Sequence, residues 1–196
     1  IATLQRNLFD SYVRAIRWAS DRVGDSGIIC FVTNAGFLES SNTDGLRKCL
    51  ADEFSSIYVF HLRGNQRTSG ELSRKEAGKI FGSGSRSPIA ITLLVKNPNA
   101  KQHGQIYWHD IGDYLSREKK LEIISEFKSI DGISAGNGWL QITPDKYNDW
   151  INQRDDSFYE FIKIGDKKNR SSTNIFINYS SGLKTSRDVW CYNFSK

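Results

Sequence analysis

Gly64, Gly70, Gly78, Gly82 and Gly84 gather in one polar stretch and invite a nucleotide-phosphate reading, because glycine-rich loops aim backbone amides at phosphates. A Walker loop, however, needs a Ser or Thr directly after its Gly-Lys pair, between a strand and a helix. Here Ile80 follows Gly78-Lys79, and a strand comes next, so the pattern fails. His61, His103 and His109 with Asp110 form no tight ligand group, and Cys30, Cys49 and Cys191 lack the CxxC spacing of zinc. No metal site is expected, no Ser-His-acid arrangement stands out, and no catalytic residue is assigned within the chain. The chemistry that remains is recognition. Residues 61–88 carry six Lys or Arg (Arg63, Arg67, Arg74, Lys75, Lys79 and Arg86) against two glutamates. Residues 163–196 carry seven against two aspartates, with the acidic stretch 145–160 between them. Two readings stand: footprints for a polyanion, or loops whose charges simply face water.

These side chains need elements to carry them. Leu8, Phe9, Tyr12, Val13, Ile16, Ala19 and Val23 recur at helical spacing, so a helix is expected over about residues 6–23, ended by Gly24 and Gly27. "GIICFVTN" reads as a strand buried on both faces. A helix bearing Leu46, Cys49, Leu50 and Phe54 follows, then the strand "SSIYVFHLR". This alternation is that of an α/β sheet with crossover helices. "IAITLLVKN" and "GQIYWHDI" are further strands. Leu121, Ile124, Phe127 and Ile130 mark a helix with Ser116 as its N-cap. "DGISAGNGW" reads as a boundary. Beyond it, residues 139–196 are dense in aromatics with weak periodicity. More than twenty polar residues separate "SSIYVFHLR" from "IAITLLVKN", and structureless loops of that length are usually functional or disordered.

Composition sets the frame. The 196 residues suffice for one domain, or one and the start of another, with a net charge of +5. No apolar run approaches the ~20 residues of a membrane span, so no membrane partner is expected. Three cysteines far apart read as small buried hydrophobes in a reducing, cytoplasmic compartment. The chain starts at Ile1 and holds no methionine, which reads as a piece of a longer polypeptide.

The segments "NLFDSYVRAIRWA", "GIICFVTNAGFL", "DGLRKCLADEFSSIYVFHLRGNQRTSGELSRKEAGKIFGSGSRSPIAITLLVKN" and "HGQIYWHDIGDYLSREKKL" resemble adenine-specific DNA methyltransferases. Among these they are most similar to the single-chain type ISP restriction–modification enzymes. That family joins a nuclease, a helicase-like ATPase, an adenine-N6 methyltransferase and a target-recognition domain. The resemblance covers nearly the whole chain. It implies an α/β fold: residues 1–130 as the C-terminal half of a Rossmann-like, S-adenosylmethionine-dependent methyltransferase, and 131–196 as linker and start of target recognition. "GIICFVTN" is then the fifth strand, and "SSIYVFHLR" with "IAITLLVK" the antiparallel sixth and seventh. The polar loop hangs from that hairpin beside the active-site mouth.

A base inside a duplex must leave the stack to be methylated, and an aromatic face receives it with ~1–3 kcal/mol of stacking. The resemblance gives that role to Phe81. An isolated loop Phe also serves as a packing anchor, and both readings stay open. Thr33 and Asn34, at the carboxyl end of a strand, either line the adenine pocket or cap a turn. Arg63, Arg67, Arg74, Lys75, Lys79 and Arg86 are expected on phosphates. The tail "IFINYSSGLKTSRDVWCYNFS" resembles the family's junction into target recognition: Lys184, Thr185 and Arg187 are expected as further DNA contacts and Trp190 and Tyr192 as packing, while the same mixture suits an ordinary small core equally well. The glycine-rich cofactor loop and the Asn/Asp-Pro-Pro-Tyr/Phe tetrapeptide of the family do not occur in these residues. S-adenosylmethionine is therefore expected to be held mainly by residues outside the chain, and the chain alone to be inactive. Double-stranded DNA and the other domains of the parent polypeptide are its expected partners. The competing class is a non-catalytic DNA-binding or coupling module of a helicase–nuclease. A Pro-Pro tetrapeptide upstream of Ile1 discriminates the two.

Overall fold

The computed structural model describes residues 6–67, 70–76, 79–81, 86–166 and 173–178. In chain order the elements are α1 (Ser11–Arg22), β1 (Gly27–Asn34), the single turn α2 (Gly36–Glu39), α3 (Asp44–Glu53) and β2 (Ser56–His61). Then follow α4 (Gly70–Lys75), β3 (Ile89–Lys96), β4 (Gln105–Asp110), α5 (Arg117–Phe127), α6 (Ile130–Ala135) and β5 (Leu140–Ile142). All belong to one compact unit, Ile1–Arg154; Asp155–Lys196 form a second.

The five strands make one mixed sheet in the order β1-β3-β2-β4-β5. β3 runs antiparallel between β1 and β2, and β4 lies parallel to β2. β1, β2 and β4 therefore point the same way, and their carboxyl ends share one rim. The expected antiparallel pairing of the strands around the polar loop is present, with Ser56 opposite Val95 and His61 opposite Ala90.

Side chains alternate across the sheet. Ile29, Ile57, Val59, Ala90, Leu94, Ile106 and Trp108 form the larger core with Val13 and Ile16 of α1, Phe37 and Leu38 of α2, and Leu46 and Leu50 of α3. On the opposite face Phe60 and Ile91 meet Ile123, Ile124 and Phe127 of α5, Ile133 of α6 and Trp139. The result is helices on both faces of the sheet. One glycine is dictated by close approach. Gly104 has φ +67°, and a Cβ there would lie 2.9 Å from the Ala51 carbonyl oxygen, so the turn into β4 tolerates no side chain.

Several expectations need correcting. α1 starts at Ser11, after a separate 3-10 turn over Arg6–Phe9. β1 is not covered on both faces: Ile28, Cys30 and Val32 are exposed. β1 lies at the margin of the sheet, away from β4 and β5, and α5 and α6 pack over β2 instead. Cys49 is exposed as well, because α3 turns Arg47 inward. The segment "DGISAGNGW" carries most of α6, capped by the Ser129 hydroxyl accepting from Gly132 N. Ser116 does cap α5, its hydroxyl accepting from Lys119 N at 3.2 Å.

Arg47 fastens the end of the first unit. Its side chain is 0 % exposed and donates to the carbonyls of Phe37 (2.9 Å), Ser40 (2.7 Å) and Asn148 (2.8 Å) and to the Asp149 carboxylate. Asp149 also accepts from Arg154 Nε at 2.8 Å. Segment 145–154 is thereby bound to α2 and α3. The second unit, by itself, shows a 3-10 turn over Asp156–Glu160 and exposed Phe158, Tyr159, Phe161, Ile164, Ile175 and Phe176.

Candidate nucleic-acid interface

Segment 62–88, the flap, leaves the carboxyl end of β2 and returns into the start of β3, on the rim where β1 and β4 also end. Its root prolongs the ladder: Leu62 N donates to Ile89 O (2.9 Å), Ile89 N to Arg63 O (3.1 Å) and Gln66 N to Arg86 O (2.9 Å). Ligands of open α/β sheets bind at such carboxyl ends. The polar loop is not structureless, since it carries α4 and a set of fixed contacts.

Arg63 stands at the root with φ 55°, a left-handed backbone that non-glycine residues seldom adopt. Its guanidinium holds that position by a fork to Asp110 at the end of β4 (Nε to Oδ1 2.9 Å, to Oδ2 3.0 Å), and it reaches Asp113 at 3.2 Å. Burial pushes the Asp110 carboxyl up, but its bonds to Arg63 and to Gly112 N outweigh that and leave it below the usual carboxylate range. Deeper in, the buried carboxylate of Glu76 accepts from Gly64 N at 3.1 Å, and the Glu76 carbonyl accepts from Gln66 Nε2 at 2.8 Å. Ser73 Oγ donates to Gln66 O at 3.1 Å. These bonds join the outgoing arm of the flap to α4.

On the returning arm Phe81 is 50 % exposed, at the mouth of a small cleft shared with Arg63, Gly64, Lys79, Ser87 and Ile89. Arg117 of α5 donates from Nε to the carbonyl of Ile80, directly before Phe81, at 3.0 Å. Arg67, Arg74, Lys75 and Arg86 are exposed and Lys79 is half-buried. Lys75 pairs with Glu71 at 3.0 Å across one helical turn. Thr33 and Asn34 end β1 on the same rim, Asn34 opposite Ile89, and Ala35 N donates to Pro88 O at 2.9 Å. The Asn34 side chain caps the next turn, Oδ1 accepting from Gly36 N at 2.8 Å, and the Thr33 hydroxyl turns to the Asn34 carbonyl. Lys184, Thr185 and Arg187 lie outside the described residues.

The structure thus brings Phe81, Lys79 and Arg63 together and sets Thr33 and Asn34 on the same rim. Sequence reasoning missed Glu76, Arg117 and Lys120, and weighed Asp110 only beside His109 as a metal ligand rather than as the partner of Arg63. The available signal was positional. Lys120 sits with Arg117, Ile124 and Phe127 at spacings of three and four, the place where an apolar residue of the stripe belongs. Among the described residues no group of three His, Cys, Asp or Glu is placed to hold a metal, and no helix is long and apolar enough to cross a membrane.

No protein-family model matches the chain, and no curated protein does. Solved structures do. A nuclease-deletion mutant of the Type ISP restriction–modification enzyme LlaGI, in complex with a DNA substrate mimic, is 50% identical over 85% of this chain, with a TM-score of 0.75. The ATP-dependent Type ISP restriction–modification enzyme LlaBIII, bound to DNA, is 42% identical over 96%, with a TM-score of 0.81. A DrdV–DNA complex is 30% identical over 83%, with a TM-score of 0.68. The chain spans only 13%, 12% and 15% of those three polypeptides. Over most of its length, then, this α/β unit with a basic flap on its carboxyl rim is similar to one segment of Type ISP restriction–modification enzymes solved with DNA or a DNA mimic.

Proposed function

We propose that the chain is part of a restriction–modification enzyme and supplies the C-terminal half of its adenine-N6 DNA methyltransferase domain, with the start of target recognition after it. The observation that carries this reading is the flap: a basic segment with a half-exposed aromatic, rising from the rim where three parallel strands end. The antiparallel β3 wedged between β1 and β2 agrees with a Rossmann-like methyltransferase sheet, and the similarity to DNA-bound Type ISP enzymes supports DNA as the partner.

In this reading an adenine leaves the duplex stack and is received on the ring of Phe81, whose open face replaces part of the lost stacking. Arg67, Arg74, Lys79 and Arg86 neutralise phosphates on either side, and Lys75 and Arg63 flank them while holding Glu71 and Asp110. Asn34 and Thr33 border the pocket. Bound S-adenosylmethionine supplies the methyl group. The residues present include no glycine-rich loop for it, so this chain positions the base and leaves cofactor binding to residues outside itself.

The test is made in the full-length parent enzyme with 2-aminopurine at the target position. Phe81→Ala is expected to lose most of the fluorescence change that accompanies extrusion, a stacking deficit of ~1–3 kcal/mol. An unchanged signal removes Phe81 from the site.

A further inference from the structure

We infer that the first turn of α5 sets the position of the flap, with Arg117 and Lys120 acting as positioning residues for Phe81. The inference rests on the proposed role of Phe81 for its functional consequence, though the contacts behind it do not.

Lys120 is the point of departure. Its side chain is fully buried, and its ammonium finds no hydrogen-bond partner among the described residues. Packing alone would place a leucine here, since a buried amine is costly unless an opposite charge answers it. The charges that answer it are the carboxylates of Glu76 from the flap, itself buried, and Asp113 from the loop after β4, neither of them hydrogen-bonded to it. Burial still pushes the Lys120 pKa down, and Glu76 and Asp113 pull it back up.

Glu76 is already the knot of the flap, bonded to Gly64 N through its carboxylate and to Gln66 through its carbonyl. The Lys120 charge attracts that carboxylate without a direct bond to it. One turn earlier on the same helix, Arg117 holds Ile80 O at 3.0 Å. Residues three apart share one helix face, so one face of α5 holds Ile80 by a hydrogen bond and carries the buried Lys120 charge that acts on Glu76. Phe81 directly follows Ile80. The Ser116 cap fixes where that helix begins, and with it the height of both side chains. A helix that follows β4 thereby determines where the ring between β2 and β3 stands.

Full-length parent enzyme carrying Lys120→Met, Glu76→Gln or Arg117→Ala is compared with wild type by two readouts. The first is hydrogen exchange of the peptide around Gly64–Gln66 and of the arm around Ile80, without DNA. Each variant is expected to exchange at least ~5-fold faster in the flap, with the sheet unaffected, a size typical of coupling between neighbouring residues. Lys120→Met combined with Glu76→Gln is expected to be no worse than either alone. The second readout is the 2-aminopurine signal at saturating DNA, expected to drop by a similar factor while KM for DNA stays near wild type. Wild-type exchange in all three variants overturns the positioning inference, whatever Phe81 does. Faster exchange with a normal signal in Phe81→Ala upholds the grip and overturns the stacking reading alone. Arg117 is at the surface, so Arg117→Ala decides the matter if a core variant does not fold.

Discussion

His61 ends β2 with its ring inside the protein, 2 % exposed, and neither nitrogen hydrogen-bonded to a described residue. It packs against the ring of Trp108, at 5.0 Å between centroids. Burial is the main cause that drags its pKa to about 4, against a partial pull upward from Asp110. The sign follows. Above about pH 6.5 the ring is neutral folded and unfolded, and it adds no pH dependence. Between about 6.5 and 4 the unfolded chain binds a proton that the folded one refuses, so stability falls with pH by on the order of 3 kcal/mol. The urea midpoint of this chain is therefore expected to drop from pH 7 to pH 4.5, and His61→Phe is expected to flatten that drop. Equal slopes in both proteins would show that the ring is not the group responsible. Asp110, held below the carboxylate range, acts only at lower pH. The histidine was visible in the sequence as a strand residue; its isolation was not, because that depends on what β4 lays beside it.

At the scale of elements the existence of α1, β1, α3, β2, β3, β4 and α5 was legible from apolar spacing, whereas the open face of β1 and the outward turn of Cys49 were decided by which neighbours the fold supplies. Two kinds of element were not legible. α4 (GELSRK) and α6 (IDGISA) are short helices with too few residues to show an apolar period, and α6 is completed by the Ser129 cap. The other kind is the extended segment 145–154, whose place is decided by a pair a hundred residues apart: Arg47 on α3 and Asp149. Asp149→Ala leaves that guanidinium buried without its counter-charge and is expected to cost about 3–5 kcal/mol in chemical denaturation. Replacing Lys48 in its exposed pair with Asp52 is expected to shift stability by less than ~0.5 kcal/mol. Equal effects would mean that burial at Arg47 does not govern the pair.

For the whole molecule the flap is one of two basic segments. Its exposed cations are expected to contribute to DNA affinity by counterion release. Arg67→Ala combined with Arg74→Ala should flatten the dependence of log K on log salt by roughly 0.9 for each phosphate that is no longer neutralised. A slope identical to that of the unaltered parent enzyme would place those residues off the DNA. The sequence by itself determined the alternation of helices and strands, the length and charge of the loop between β2 and β3, and its one aromatic candidate, Phe81. Those follow from periodicity and residue type, which are local. Only the tertiary structure decided that β3 enters between β1 and β2, so that three strand ends and the flap share a rim. It also decided that Arg63, Glu76, Arg117 and Lys120 meet there. A charged residue declares its type in the sequence, but its partner is chosen by which distant backbone the fold brings within a few ångströms, and no spacing along the chain encodes that.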